Sequence, residues 1–101
     1  MKVIIDCDPG IDDAIALSVL LNDPFFDVKL VTTVAGNVSV KKTTNNALKI
    51  SAFFKSNVPI AAGAAEPLIK KLEDASNIHG ESGMDGYHFT DKIGYPYHKL
   101  L

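Results

Sequence analysis

Three short runs rich in β-branched and apolar residues, KVIID at 2–6, VKLVTTV at Val28–Val34 and VPIAAG at Val58–Gly63, are separated by two stretches of helical character. That alternation most narrows the folds open to this chain. From Asp12 to about Leu21 the residues are helix-forming and apolar on most faces (Ala14, Ile15, Leu17, Val19, Leu20, Leu21), which predicts a well-buried helix, and NDPFFD then breaks it. Ser39 can cap a second helix in which Val40, Thr43, Thr44, Ala47, Leu48, Ser51 and Phe54 recur as one inward stripe. KVIID, closed by Pro9 and Gly10, reads as a buried strand. The order β-α-β-α-β predicts an α/β fold, a parallel sheet with right-handed crossovers.

In sheets of this kind ligands lie beyond the carboxyl ends of the strands. The first strand delivers Asp6 and Asp8 there, the second Asn37 in the turn AGN, and the third Gly63. The first loop stands out, because DCDPGIDD gathers Asp6, Asp8, Asp12 and Asp13 within eight residues and no Lys or Arg accompanies them. Carboxylates this close raise one another's pKa unless a cation or several donors compensate them. Either they splay into solvent or they take a metal from outside. Asp6 and Asp8, two apart, point the same way if strand geometry persists. Asp12 and Asp13 fall in the first helical turn, where the helix dipole favours carboxylates, so a plain capping role accounts for them as well.

Oxygen-only ligands suit a hard cation such as calcium or magnesium. An EF-hand fails on spacing: counted from Asp6, Gly10 comes one place early and Leu17 stands where the bidentate Glu belongs. A phosphate loop fails for want of G-x-x-x-x-G-K-[ST]. The net charge of −2 argues against a nucleic-acid partner held by bulk electrostatics. Cys7, the only cysteine, excludes an intrachain disulfide and fits a buried small side chain facing away from its two aspartate neighbours. No run reaches the roughly 18 apolar residues of a membrane span, and the N-terminus lacks the pattern of a signal peptide, so a cytoplasmic protein is the default expectation.

DCDPGIDDAIAL resembles the N-terminal signature of the nucleoside hydrolases, the inosine-uridine preferring nucleoside N-ribohydrolase family. VTTVAGN, VPIAAGAAEPL and IHGESGMDG resemble later segments of that family in the same order, so the likeness extends to about Gly86. It implies an open Rossmann-like fold and calcium-assisted hydrolysis of the N-glycosidic bond of a ribonucleoside to ribose and free base. By resemblance Asp8 binds calcium and acts as general base, and Asp13 is a second calcium ligand. Asp12 hydrogen-bonds the ribose hydroxyls, Asn37 meets the ribose side or positions the water, His79 lines the pocket or braces its loop, and Asp6 supports from behind. The chemistry fits these types, because an oxocarbenium-like state is stabilised by nearby carboxylates and a divalent ion can clamp vicinal hydroxyls.

Family chains run to roughly three times this length, whereas an ordinary domain spans about 100–200 residues. The 101 residues are therefore expected to be the N-terminal portion of one domain, with 87–101 an irregular tail, inactive alone. A sheet cut after three strands leaves an edge and apolar faces that favour association, and a homo-oligomer is expected of the full-length form. His88 and His98 in the tail read as solvated, and Glu81 and Asp85 as loop formers. Two rival readings stand beside this one. A haloacid-dehalogenase-like magnesium phosphotransferase would use Asp6 as nucleophile and Asp8 as acid, but Gly10 and the second Asp pair count against it. The other rival is a remnant without activity that folds by pairing with another chain.

Overall fold

The computed structural model describes residues 1–69, 83, 99 and 100. Its elements are β1 (Lys2–Cys7), α1 (Ile11–Asn22), β2 (Asp27–Thr33), α2 (Val40–Phe53), β3 (Pro59–Ala62) and β4 (Lys99–Leu100). The sheet is parallel throughout, in the order β1-β2-β3-β4. The βαβαβ order and the parallel pairing thus stand as the sequence predicts, with each boundary within a residue or so. Two residues of the tail expected to be irregular, Lys99 and Leu100, pair with Pro59 and Ile60 of β3. A strand that short carries no periodicity to read; its place is set by the open edge of β3.

Local chemistry closes each element. Ser39 caps α2, its Oγ accepting from Lys42 N–H at 3.4 Å, and Lys55 ends the helix at a φ of 55°. After α1 the Asp23 carboxylate accepts from Phe25 N–H at 2.9 Å and its carbonyl from Phe26 N–H at 3.1 Å, a turn that Pro24 reinforces. The ladder runs on past the strands, with Val34 N–H on Cys7 O (3.0 Å) and Gly63 N–H on Thr33 O (2.8 Å). The loops that follow β1, β2 and β3 are thereby brought to one edge of the sheet.

Both helices lie on one face. Leu17 of α1 and Ala47 and Ile50 of α2 form a single core cluster with Cys7, Val31 and Ile60 of the strands, as same-handed crossovers between successive neighbouring strands require. The expected burial of β1 and α1 needs correction here. Ile4, on the other face of β1, is 67% exposed, and Ile15 and Val19 of α1 are 63% and 55% exposed; Leu17 alone of α1 is fully buried. A helix apolar all round is buried all round only where something covers each side. The second helix has the opposite character, since its buried side includes Thr43, Thr44, Asn46 and Ser51 beside Ala47 and Ile50.

Candidate active site at the carboxyl edge of the sheet

The turn that joins β1 to α1 is held by side chains. Pro9 has no N–H, and the carbonyl of Gly10 accepts the first helical bond from Ala14 N–H at 3.1 Å. Each remaining main-chain group of Asp8 and Pro9 finds a distant partner. Asp8 N–H donates to Asp13 Oδ2 at 3.0 Å, Asn37 Nδ2 donates to Asp8 O at 2.9 Å, and Asn46 Nδ2 donates to Pro9 O at 3.0 Å. Buried main-chain polar groups must be paired, and Pro9 and Gly10 are buried. The DPG sequence thus folds into a turn whose orientation three side chains determine.

The Asp8 carboxylate is fixed from the second loop, where Asn37 N–H donates to its Oδ2 at 2.9 Å. Gly36 permits that approach: a Cβ on Gly36 would stand 2.1 Å from Asp8 Oδ2. Asn37 is therefore bonded directly to Asp8, by its main chain and by its side chain. Its side chain commits one Nδ2 hydrogen to Asp8 O, which leaves Oδ1 and the second hydrogen to meet a ligand.

Asp13 stands beside Asp8, and its carboxyl is pushed above the usual carboxylate range. Burial is the first cause; the Asp8 side chain and the charges of Asp8 and Asp12 add to it, and the bond from Asp8 N–H works against it. The charges acting on Asp13 are thus all negative, and an external cation would relieve them. Asp12, in the same helical turn, is exposed. Asp6 is exposed too, its Oδ1 accepting from Thr32 Oγ1 at 2.6 Å, so it is braced by β2. Cys7 faces the core at 8% exposure, and its thiol is raised from 9.0 to about 12, by burial first and then by the charges of Asp13, Asp6 and Asp8. It is a packing residue and no nucleophile at neutral pH. His79, His88, His98, Glu81 and Asp85 lie outside the described residues.

A hard cation fits this donor set in part. Asp8 and Asp13 offer carboxylate oxygens, but among the described residues no three His, Cys, Asp or Glu side chains are grouped to hold a metal ion. Calcium takes about six to eight oxygens, so further ligands have to come from water or from outside the described residues. An open cleft of about 620 Å3 lies nearby, lined by residues of the α2 amino end, Leu48 and Ala62, but none of the four aspartates lines it. It is separate from the carboxylate site.

Asn46, Gly36 and Thr32 were not singled out in the sequence. Asn46 carried a signal: it stands three residues after Thr43 and four before Ile50, a polar residue at an inward position. Gly36 and Thr32 carried none, since a close approach and a cross-strand bond appear only once β1 and β2 are paired.

Among the described residues no helix is long and apolar enough to cross a membrane. The family model described as inosine-uridine preferring nucleoside hydrolase matches residues 3–99. The non-specific ribonucleoside hydrolase RihC of Salmonella paratyphi A is 54% identical over 96 residues, which are 95% of this chain and 32% of that protein. A purine-preferring ribonucleoside hydrolase from Gardnerella vaginalis superposes with a TM-score of 0.80 at 28% identity, over 93% of this chain and 31% of that one. A plant nucleoside hydrolase superposes with a TM-score of 0.79 at 36% identity, over 96% and 32% respectively. The chain thus spans about a third of the length of the relatives it matches.

Proposed function

The chain belongs to the inosine-uridine preferring nucleoside hydrolase family, and from that premise we propose that the protein hydrolyses the N-glycosidic bond of ribonucleosides to ribose and free base. The observation that carries this reading is the Asp8 carboxylate, aimed by Asn37 N–H at 2.9 Å and set beside Asp13 at the carboxyl edge of the sheet. With Oδ2 held by Asn37, Oδ1 is the oxygen on which Asp8 takes the proton of the attacking water as the bond from sugar to base breaks. Asp12, exposed at the start of α1, is free to accept hydrogen bonds from the ribose hydroxyls. Asn37 offers its remaining amide atoms to the sugar or the water. Asp13 orients Asp8 through the Asp8 N–H and adds negative charge where the sugar becomes positive.

Asp8 and Asp13 are the residues that would hold calcium. The ion, when bound, lowers the pKa of water and clamps vicinal hydroxyls. Two carboxylates are a small share of its shell, and the 101-residue chain alone is expected to release no ribose above background. A cytoplasmic location, an assembly of identical subunits and the absence of a nucleic-acid partner belong to this reading as well.

The test is a chimera in which this chain replaces the matching segment of a full-length ribonucleoside hydrolase relative, assayed for ribose release from inosine and uridine with calcium and with a chelator. Calcium-dependent turnover is expected, together with a loss of about 10²–10⁴-fold in Asp8→Ala without loss of fold, the range for a general base. A folded chimera without turnover, or an Asp8→Ala variant within a few-fold of its parent, overturns the proposal.

A further inference from the structure

The inward side of α2 is polar where the ends of β1 and β2 meet it. Thr43 Oγ1 donates to Val34 O at 2.9 Å, two residues before Gly36, and Asn46 Nδ2 donates to Pro9 O at 3.0 Å, one residue after Asp8. Thr43 is fully buried and Asn46 is 2% exposed. A helix buried for stability alone would place apolar groups here, since each buried polar group must be paired. One helix instead grips a main-chain carbonyl in each of the two loops that meet at Asp8.

The two grips differ in what they control. Thr43 also bonds back to Val40 O at 3.1 Å, a local bond that helical threonines often make. The Asn46 bond spans 37 residues of chain. Its acceptor belongs to the turn between Asp8 and the helix that carries Asp13, and the two other anchors of that turn are themselves site residues, Asp13 and Asn37. Asn46, unlike those two, is not among the residues read as meeting the sugar, the water or the ion. Gly83, at a φ of +84°, lies so close that a Cβ there would stand 3.1 Å from Asn46 Nδ2 and 3.5 Å from Pro9 O. That positive φ favours glycine, and the lack of a side chain lets its backbone close over the Asn46–Pro9 bond.

We propose that Asn46 is a positioning residue of the reaction: by holding the Pro9 carbonyl it orients the Asp8 main chain, and through it the pairing of Asp8 with Asp13. The proposal rests on the reading of Asp8 as the general base, but its first test does not. Without the Asn46 donor the Pro9–Gly10 peptide has to turn toward water, and the altered torsions at Pro9 and Gly10 change how Asp8 sits against the first turn of α1 and so loosen the bond from Asp8 N–H to Asp13.

Amide hydrogen exchange followed by NMR on the full chain reads this directly, with Asn46→Ala compared against Thr44→Val. The control removes a different buried side-chain bond of α2, Thr44 Oγ1 to Thr33 Oγ1 at 2.6 Å, away from the turn. In Asn46→Ala the Asp8 amide should exchange at least about tenfold faster relative to the Val31 amide of β2, whereas in Thr44→Val the Asp8 to Val31 ratio should hold. An unchanged ratio in Asn46→Ala, or an equal change in Thr44→Val, overturns the proposal. Should Asn46→Ala fail to fold, Asn46→Leu, which keeps the volume and lacks the donor, takes its place with the same expectation. In the chimera, Asn46→Ala should lower kcat about 10²-fold with KM within a few-fold, the effect of an ångström-scale misplacement. A matched fall in affinity with kcat unchanged would refute positioning, while inactivity of the parent chimera with the exchange result intact would refute only the reading of Asp8.

Discussion

Replacing Gly36 by alanine should dislodge the Asp8 carboxylate. The added Cβ would lie 2.1 Å from Asp8 Oδ2, 2.9 Å from its Cγ and 3.2 Å from its Cβ, and real Cβ contacts essentially never fall under 3.0 Å. The oxygen must therefore retreat by about 0.9 Å, which stretches the 2.9 Å bond from Asn37 N–H well past the hydrogen-bond range. A hydrogen bond to a charged group contributes about 1.5–3 kcal/mol, and that is the expected loss. The strain is local, because Gly36 is not among the residues at positive φ, so alanine meets no backbone penalty there. The reasoning makes a second demand. In an Asp8→Ala background only the Cβ contact at 3.2 Å remains, which yields by a few tenths of an ångström, so Gly36→Ala should then cost little. Urea denaturation of the parent, the two single variants and the double variant gives the coupling energy, expected at about 1.5–3 kcal/mol. Equal destabilisation by Gly36→Ala in both backgrounds would refute the argument.

Three further outcomes are expected. Cys7, raised from 9.0 to about 12, should alkylate about 10³-fold more slowly in the folded chain than in urea at pH 8, and speed up only as the pH nears its raised pKa; mass spectrometry after iodoacetamide checks this, and native reaction within tenfold of the unfolded rate would contradict it. The folded state raises the Asp13 pKa, so the stability Asp13 contributes is whole below its unfolded pKa of 3.8 and is lost as pH rises through the folded value. Asp13→Asn, which keeps an acceptor for Asp8 N–H, should accordingly stabilise the calcium-free chain at pH 7 by no more than about 1 kcal/mol, the side chain being only partly buried, with no gain below pH ~3.5 in thermal melts. Leu17→Ala should cost about 2–5 kcal/mol and Ile15→Ala less than about 0.5 kcal/mol in the same melts, since Leu17 is 1% and Ile15 63% exposed; similar costs would mean that α1 is covered on its outer side.

The strands and helices were legible in the sequence because their signals are local. β-branched runs, the Pro9–Gly10 and Asp23–Pro24 breaks and the Ser39 cap each act within a few residues, and each element from β1 to β3 came out within a residue or so of its expected span. Which faces are covered was not legible in the same way. Ile15 and Leu17 are equally apolar, yet one is exposed and the other buried, since periodicity reports the repeat and says nothing of what packs against it.

The site divides along the same line. The gathering of Asp6, Asp8, Asp12 and Asp13 is visible because it lies within eight residues, but their division of labour is a tertiary matter. Asp8 is clasped from Asn37, 29 residues away, and its turn is clasped from Asn46, 37 residues from Pro9, while Asp6 is braced from Thr32 on the neighbouring strand. A polar residue at an inward helical position is the trace such a clasp leaves in sequence. Thr43, Thr44, Asn46 and Ser51 weaken the hydrophobic pattern of α2, and that weakening has a physical reading. Buried polar groups are kept only with partners, and for Thr43, Thr44 and Asn46 those partners lie at the carboxyl ends of β1 and β2 and in the loops beyond them. The helix gives up apolar burial on the side where the carboxylate loops need to be held, so the stability of α2 and the geometry of Asp8 are set by the same bonds.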